Sequence, residues 1–124
     1  MTAPTTDHSS PDSGLDAARL ADFRGLLGNM LDDILRAWLA DTPDTLAAAR
    51  AALDSGRLAD AVKAMHAVKG SSSNVGATRL SSLAHTLEAQ LAQATAEIDA
   101  PAAMAQLEIE FEHAARGIRE LIRR

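Results

Sequence analysis

From Leu15 onward, apolar residues recur at three- and four-residue steps, the period of an amphipathic helix. Leu20, Phe23 and Leu27 mark a short first helix from Leu15 to about Leu27, closed by Gly28-Asn29. Leu31, Ile34, Leu35, Trp38, Thr42, Leu46, Ala49 and Leu53 mark a long second helix from about Met30 to Ser55, ended by Ser55-Gly56. Pro43 lies inside it and removes the bond to the Leu39 carbonyl, which predicts a kink or a split. The third helix starts near Arg57, carries Leu58, Ala61, Met65, Val68, Ser72 and Val75 on one stripe, and ends at Gly76. The fourth runs from about Thr78 to Ala96 with Leu80, Leu83, Leu87 and Leu91 inward. Asp99 then stands where an N-cap belongs and Pro101 in a first turn. Met104, Leu107, Phe111, Ala114, Ile118 and Leu121 line the fifth helix. Four sizeable amphipathic helices with short connections predict an all-α fold: an antiparallel four-helix bundle with a short extra N-terminal helix. Residues 1–14, rich in Thr, Ser, Pro, Asp and Gly, are expected to be a disordered tail, leaving 15–124 as the helical bundle domain.

Composition narrows the function. The chain is 47% hydrophobic but only 2% aromatic, so its core is aliphatic and its helix formers outnumber its strand formers. It has no cysteine, which excludes disulfides, thiolate zinc sites and a thiol nucleophile. Its apolar runs are short and interrupted by charge, so no membrane span or signal peptide is expected, and a cytoplasmic location is the default. A net charge of −5 argues against nucleic acid as the partner.

Against that acidic background one surface differs. At about 100° per residue, His66 projects roughly 140° from the centre of the third helix's apolar stripe, toward water. Ala59, Val62, Lys63, Lys69, Gly70 and Ser73 share its face. Lys63 and Lys69, three residues either side of it, are the only lysines in the protein. The 27 residues from Ala61 to Leu87 contain no Asp or Glu, where the chain's average density of acid would place about four. This implies surroundings cleared of carboxylate. Gly70 sits mid-helix, where glycine costs about 1 kcal/mol relative to alanine. Exposure does not single out His66, because His85 and His113 also project away from their stripes. The lysines, the glycine and the serines do. A neutral imidazole is a ready nucleophile toward a phosphoryl donor, and phosphoryl transfer needs mainly positioning and charge stabilisation. Lys69 can offer an ammonium to the phosphoryl oxygens. Gly70 removes bulk where another protein's active site would approach.

The segment His66-Ala-Val-Lys-Gly-Ser-Ser-Ser-Asn-Val-Gly-Ala77 resembles the signature of histidine-containing phosphotransfer (HPt) domains: His, an apolar residue two on, Lys-Gly-Ser, then Gly-Ala. Trp38-Leu-Ala-Asp-Thr-Pro43, Ser55-Gly56 and the stretch from Leu80 to Leu87-Glu88 also resemble family segments, over roughly residues 15–96. Val68 stands where Leu is usual and Trp38 where Phe is usual. The resemblance implies His66 as phosphoacceptor at Nε2, Lys69 as phosphoryl-stabilising residue, Gly70 as space for a receiver and Ser73 as an orienting or solvating group. With Ala59, Val62 and Lys63, Gly70 would form the receiver-docking face. It also implies a third helix unbroken through Gly70 to Ser73. The expected partners are aspartate-bearing response-regulator receiver domains and a hybrid sensor histidine kinase. Mg²⁺ is expected on the receiver, and no cofactor, metal or independent catalytic activity on this chain.

Two other classes bear comparison. A bundle that binds a kinase or receiver without accepting phosphate has no chemical need for His66. A metal-binding bundle needs convergent His and carboxylates, and His66 has no acid within five residues.

Overall fold

A computed structural model describes residues 14–93 and 98–123. Within them the chain forms α1 (Ala17–Leu27), α2 (Met30–Asp54), α3 (Leu58–Asn74), α4 (Thr78–Ala92) and α5 (Ala100–Arg123). Helix α3 packs between α2 and α4, and α5 closes the bundle against α2 and α4. Helix α1 lies against the start of α2, where Arg24 pairs with Asp32 at 2.7 Å. The expected all-α bundle with an extra N-terminal helix is the observed fold. No helix of the described residues is long and apolar enough to cross a membrane.

Most of the predicted stripes are the core. Leu35, Met65, Val68, Leu80, Met104, Leu107 and Ile118 are fully buried. The Trp38 ring lies 5.1 Å from that of Phe111, tying α2 to α5, and its Nε1 donates to Ser72 Oγ at 3.4 Å, tying α2 to α3. That bond satisfies two polar groups that burial would otherwise penalise. Arg50 adds a two-pronged bridge from α2 to Glu108 of α5 at 2.8 and 3.1 Å.

Several expectations change in detail. Helix α2 is continuous across Pro43, which faces solvent while Thr42 and Leu46 beside it are buried. Packing on both flanks holds the helix together despite the missing bond, so no split occurs. Leu58 is 48% exposed rather than part of the stripe, because it opens α3 beyond the reach of its neighbours. Ile34 is exposed at the margin of the α2 stripe. In α4, Ala84 takes the inward position and Leu83 is half-buried. His113 is half-buried rather than outward, with Nδ1 3.7 Å from the buried carboxylate of Glu110, because α5 buries a face wide enough to include Glu110 and Ala115. Helix α4 ends at Ala92, and its expected extension to Ala96 falls on residues 94–97, outside the described residues. At α5, Asp99 Oδ1 accepts from the Ala102 N–H at 3.1 Å, the expected cap.

Residues 1–13 of the expected tail lie outside the described residues. Gly14, its last residue, is built into the domain, its carbonyl accepting from Arg79 N at 3.3 Å and Thr78 Oγ1 at 3.2 Å. Next to it, Asp16 N donates to the carbonyl of Gly76 at 2.8 Å. Gly76 has a φ of +75°, and a Cβ there would sit 3.1 Å from Leu20 Cγ. Two constraints, a left-handed backbone and a close approach of α1, therefore fall on one residue. Gly76→Ala is expected to lower the unfolding free energy by about 1–2 kcal/mol, read from the midpoint of urea denaturation.

Candidate functional site

Helix α3 presents two sides. Ala61, Met65, Val68 and Ser72 are buried, and His66 projects from the opposite side with 68% of its side chain exposed. The helix runs unbroken through Gly70 and the serines to Asn74, as the resemblance implied. Ser81 of α4 helps hold this stretch, donating from Oγ to the Lys69 carbonyl at 2.8 Å.

The acid-free run does not give His66 acid-free surroundings. Glu88, the first residue after that run, returns on antiparallel α4 directly beside the ring, its Oε2 2.9 Å from His66 Nδ1. Its Oε1 lies 3.1 Å from Lys69 Nζ, an ion-pair distance without a well-aligned hydrogen bond. Sequence distance concealed it: 22 residues separate the pair. The signal was a carboxylate at the end of the antiparallel neighbour, legible only once the register of α3 against α4 is known.

The electrostatics of this trio give the ring a direction. The Lys69 ammonium first, and the His66 N–H after it, hold the Glu88 carboxyl below its ordinary value of 4.5, against burial, which pushes it up. Glu88 is therefore a carboxylate at neutral pH and only accepts hydrogen bonds. The hydrogen on the His66–Glu88 contact must then belong to Nδ1. In the neutral ring this leaves Nε2 unprotonated, with its lone pair available. Because folding lowers the Glu88 value, its stabilising contribution is present above about pH 4.5 and is lost as pH falls through the folded value.

The remaining candidates occupy the same side of α3. Lys63 and Ala59 are exposed toward its start, and Val62 is half-buried against the core. Gly70 is exposed, and a Cβ built there would meet nothing within 4 Å. Ser73 lines an open groove of about 540 Å³ between α3 and α4, together with Lys69, Gly70, Ser82 and His85. The ring's hydrogen-bond partner is Glu88, and Ser73 belongs to the groove. Arg79, within the acid-free run, is committed elsewhere, pairing with Glu110 of α5 at 3.2 Å.

A family model described as Hpt domain matches residues 33–117. The fold is also similar to the crystal structure of histidine-containing phosphotransfer protein B (HptB) from Pseudomonas aeruginosa PAO1. The TM-score is 0.85 and the identity 27%, covering 93% of this chain and 97% of that one. No curated protein matches the sequence.

Internal packing gives no reason for glycine at position 70, since nothing is there to clash with a side chain. Gly70→Ala is therefore expected to raise the unfolding free energy by about 0.5–1 kcal/mol, measured by chemical denaturation.

Proposed function

Because the chain belongs to the Hpt domain family, we propose that it is a phosphorelay intermediate carrying a phosphoryl group on His66 Nε2 between receiver-domain aspartates, with a hybrid sensor kinase upstream. The observation that carries this reading is the combination at one helix face: an exposed imidazole whose Nδ1 is occupied by Glu88, leaving Nε2 outward.

The chemistry asks little of this chain. The Nε2 lone pair attacks phosphorus of an aspartyl phosphate on the receiver, the N–P bond forms, the P–O bond breaks, and its electrons return to the aspartate carboxylate. The transferring group carries its charge on the equatorial oxygens, so nearby cations stabilise it. Lys69 is one turn along the helix and supplies such a charge as it shares its ammonium between Glu88 and the phosphoryl oxygens. Mg²⁺ belongs to the receiver in this scheme. The chain acts as a carrier without independent catalysis. Gly70 and the open surface around it let the receiver's active site close over His66, with Ala59, Val62 and Lys63 as further docking contacts and Ser73 solvating the approach.

Incubation with a phosphorylated receiver from the same cell is expected to move label to the wild type as an acid-labile species, and His66→Gln is expected to accept none. Normal labelling of His66→Gln overturns the reading. Equal binding and inhibition of a receiver or kinase by wild type and His66→Ala, with no transfer by either, points instead to an interaction module. Gly70→Gln is expected to slow transfer at least tenfold (a loss of about 1.4 kcal/mol in the docked state) while thermal unfolding shows the fold retained.

A further inference from the structure

A phosphorylated imidazole releases its phosphoryl group in one of two forms. If the distal nitrogen has lost its proton, the departing ring is an imidazolate anion. If it has kept that proton, the departing ring is neutral imidazole, a far better leaving group. The choice between a durable and a short-lived phosphohistidine therefore lies at Nδ1, and in this protein Nδ1 faces a carboxylate at 2.9 Å.

Resting on the carrier role of His66, we propose that Glu88 is a positioning residue that keeps the Nδ1 proton on the ring throughout the transfer cycle and so sets the lifetime of the phosphohistidine. Before transfer, Nδ1–H donates to Glu88 Oε2 and Nε2 holds the lone pair. When Nε2 bonds to phosphorus, the ring becomes a cation with its proton still on Nδ1, now ion-paired with Glu88. No base has to remove a proton. When the group moves on, to an acceptor carboxylate or to water, the P–N bond breaks, its electron pair returns to Nε2, and neutral imidazole is restored with the same proton in place.

The other titratable side chains on α3 and α4 around His66 are basic. Lys63 and Lys69 both lie within one turn of it on α3, and Lys69 shares the Glu88 carboxylate. His85 is exposed one turn before Glu88 on α4. Among the described residues no side chain of α1, α2 or α5 forms an ion pair with His66. Glu88 is thus the carboxylate placed to pair with the Nδ1–H of the phosphorylated ring, and in this scheme a part of its charge is freed for that task when Lys69 turns to the phosphoryl oxygens.

The test uses the full chain and phosphoramidate, a small-molecule phosphoryl donor that needs no partner protein. Decay of the phosphohistidine is followed by ³¹P NMR from pH 6 to 10 in wild type, Glu88→Gln and Glu88→Ala. In wild type the decay rate is expected to stay high to a more alkaline pH than in Glu88→Gln. A displacement of about one pH unit makes the phosphorylated Glu88→Gln protein about threefold longer-lived midway between the two midpoints, rising toward about tenfold above the higher one. The amide of the Glu88→Gln variant keeps an acceptor oxygen but no charge, so this difference separates the charge from ring placement, and Glu88→Ala should show at least the same displacement. Coincident pH profiles, or faster decay in Glu88→Gln, overturn the proposal. Imidazole ¹⁵N shifts of the unmodified wild type give a second measurement that needs no variant to fold: a dominant Nδ1–H tautomer is expected, and a dominant Nε2–H tautomer overturns it. A wild type that is labelled by phosphoramidate but exchanges phosphate with no receiver defeats the relay role, and the decay profile still decides the role of Glu88.

Discussion

The site depends on α3 remaining a helix along its whole length while one side is sealed and the other left bare. Gly70 and the three serines after it weaken the local preference for helix, glycine by about 1 kcal/mol. Burial of Met65 and Val68 offsets this, at about 1.5–3 kcal/mol for each fully buried side chain. The Trp38–Ser72 bond secures the same turn from α2, and the Ser81 hydroxyl secures the Lys69 carbonyl from α4. The stability of α3 is therefore supplied by its neighbours on the inner side. The outer side is free to carry residues chosen for chemistry.

The antiparallel pairing of α3 with α4 supplies the second half of the site. It places a carboxylate against one ring nitrogen and one lysine at once, at 2.9 and 3.1 Å. A carboxylate near an expected phosphoryl site is at first sight repulsive. Its position on Nδ1, with Lys69 beside it, gives that charge a different use: it orients the ring and partly neutralises the ammonium. The site is thus a compact charge network around an exposed imidazole, and not a purely basic patch.

This arrangement leaves the imidazole accessible to another protein. His66 is open to solvent, the adjoining groove is open, and the surface at Gly70 is bare.

Periodicity alone was enough to place five helices and most of the core, because burying one side of a helix imprints a three- and four-residue step on the chain. Local residue types added His66, Lys69 and Gly70 as candidates, which the fold places on one face because all three lie within one turn or so of the same helix, where spacing in sequence is spacing in space. The same logic failed for His113, where α5 buries more than a narrow stripe, and of the two outcomes it allowed at Pro43 the split is absent, because packing from both sides outweighs one missing bond. It failed most consequentially for Glu88. Density of acid along the chain measures only local neighbours, and Glu88 meets His66 through the register of two antiparallel helices 22 residues apart. That register is set by the packing of the buried faces of α3 and α4 within the bundle, a matter of three-dimensional packing that no linear pattern encodes.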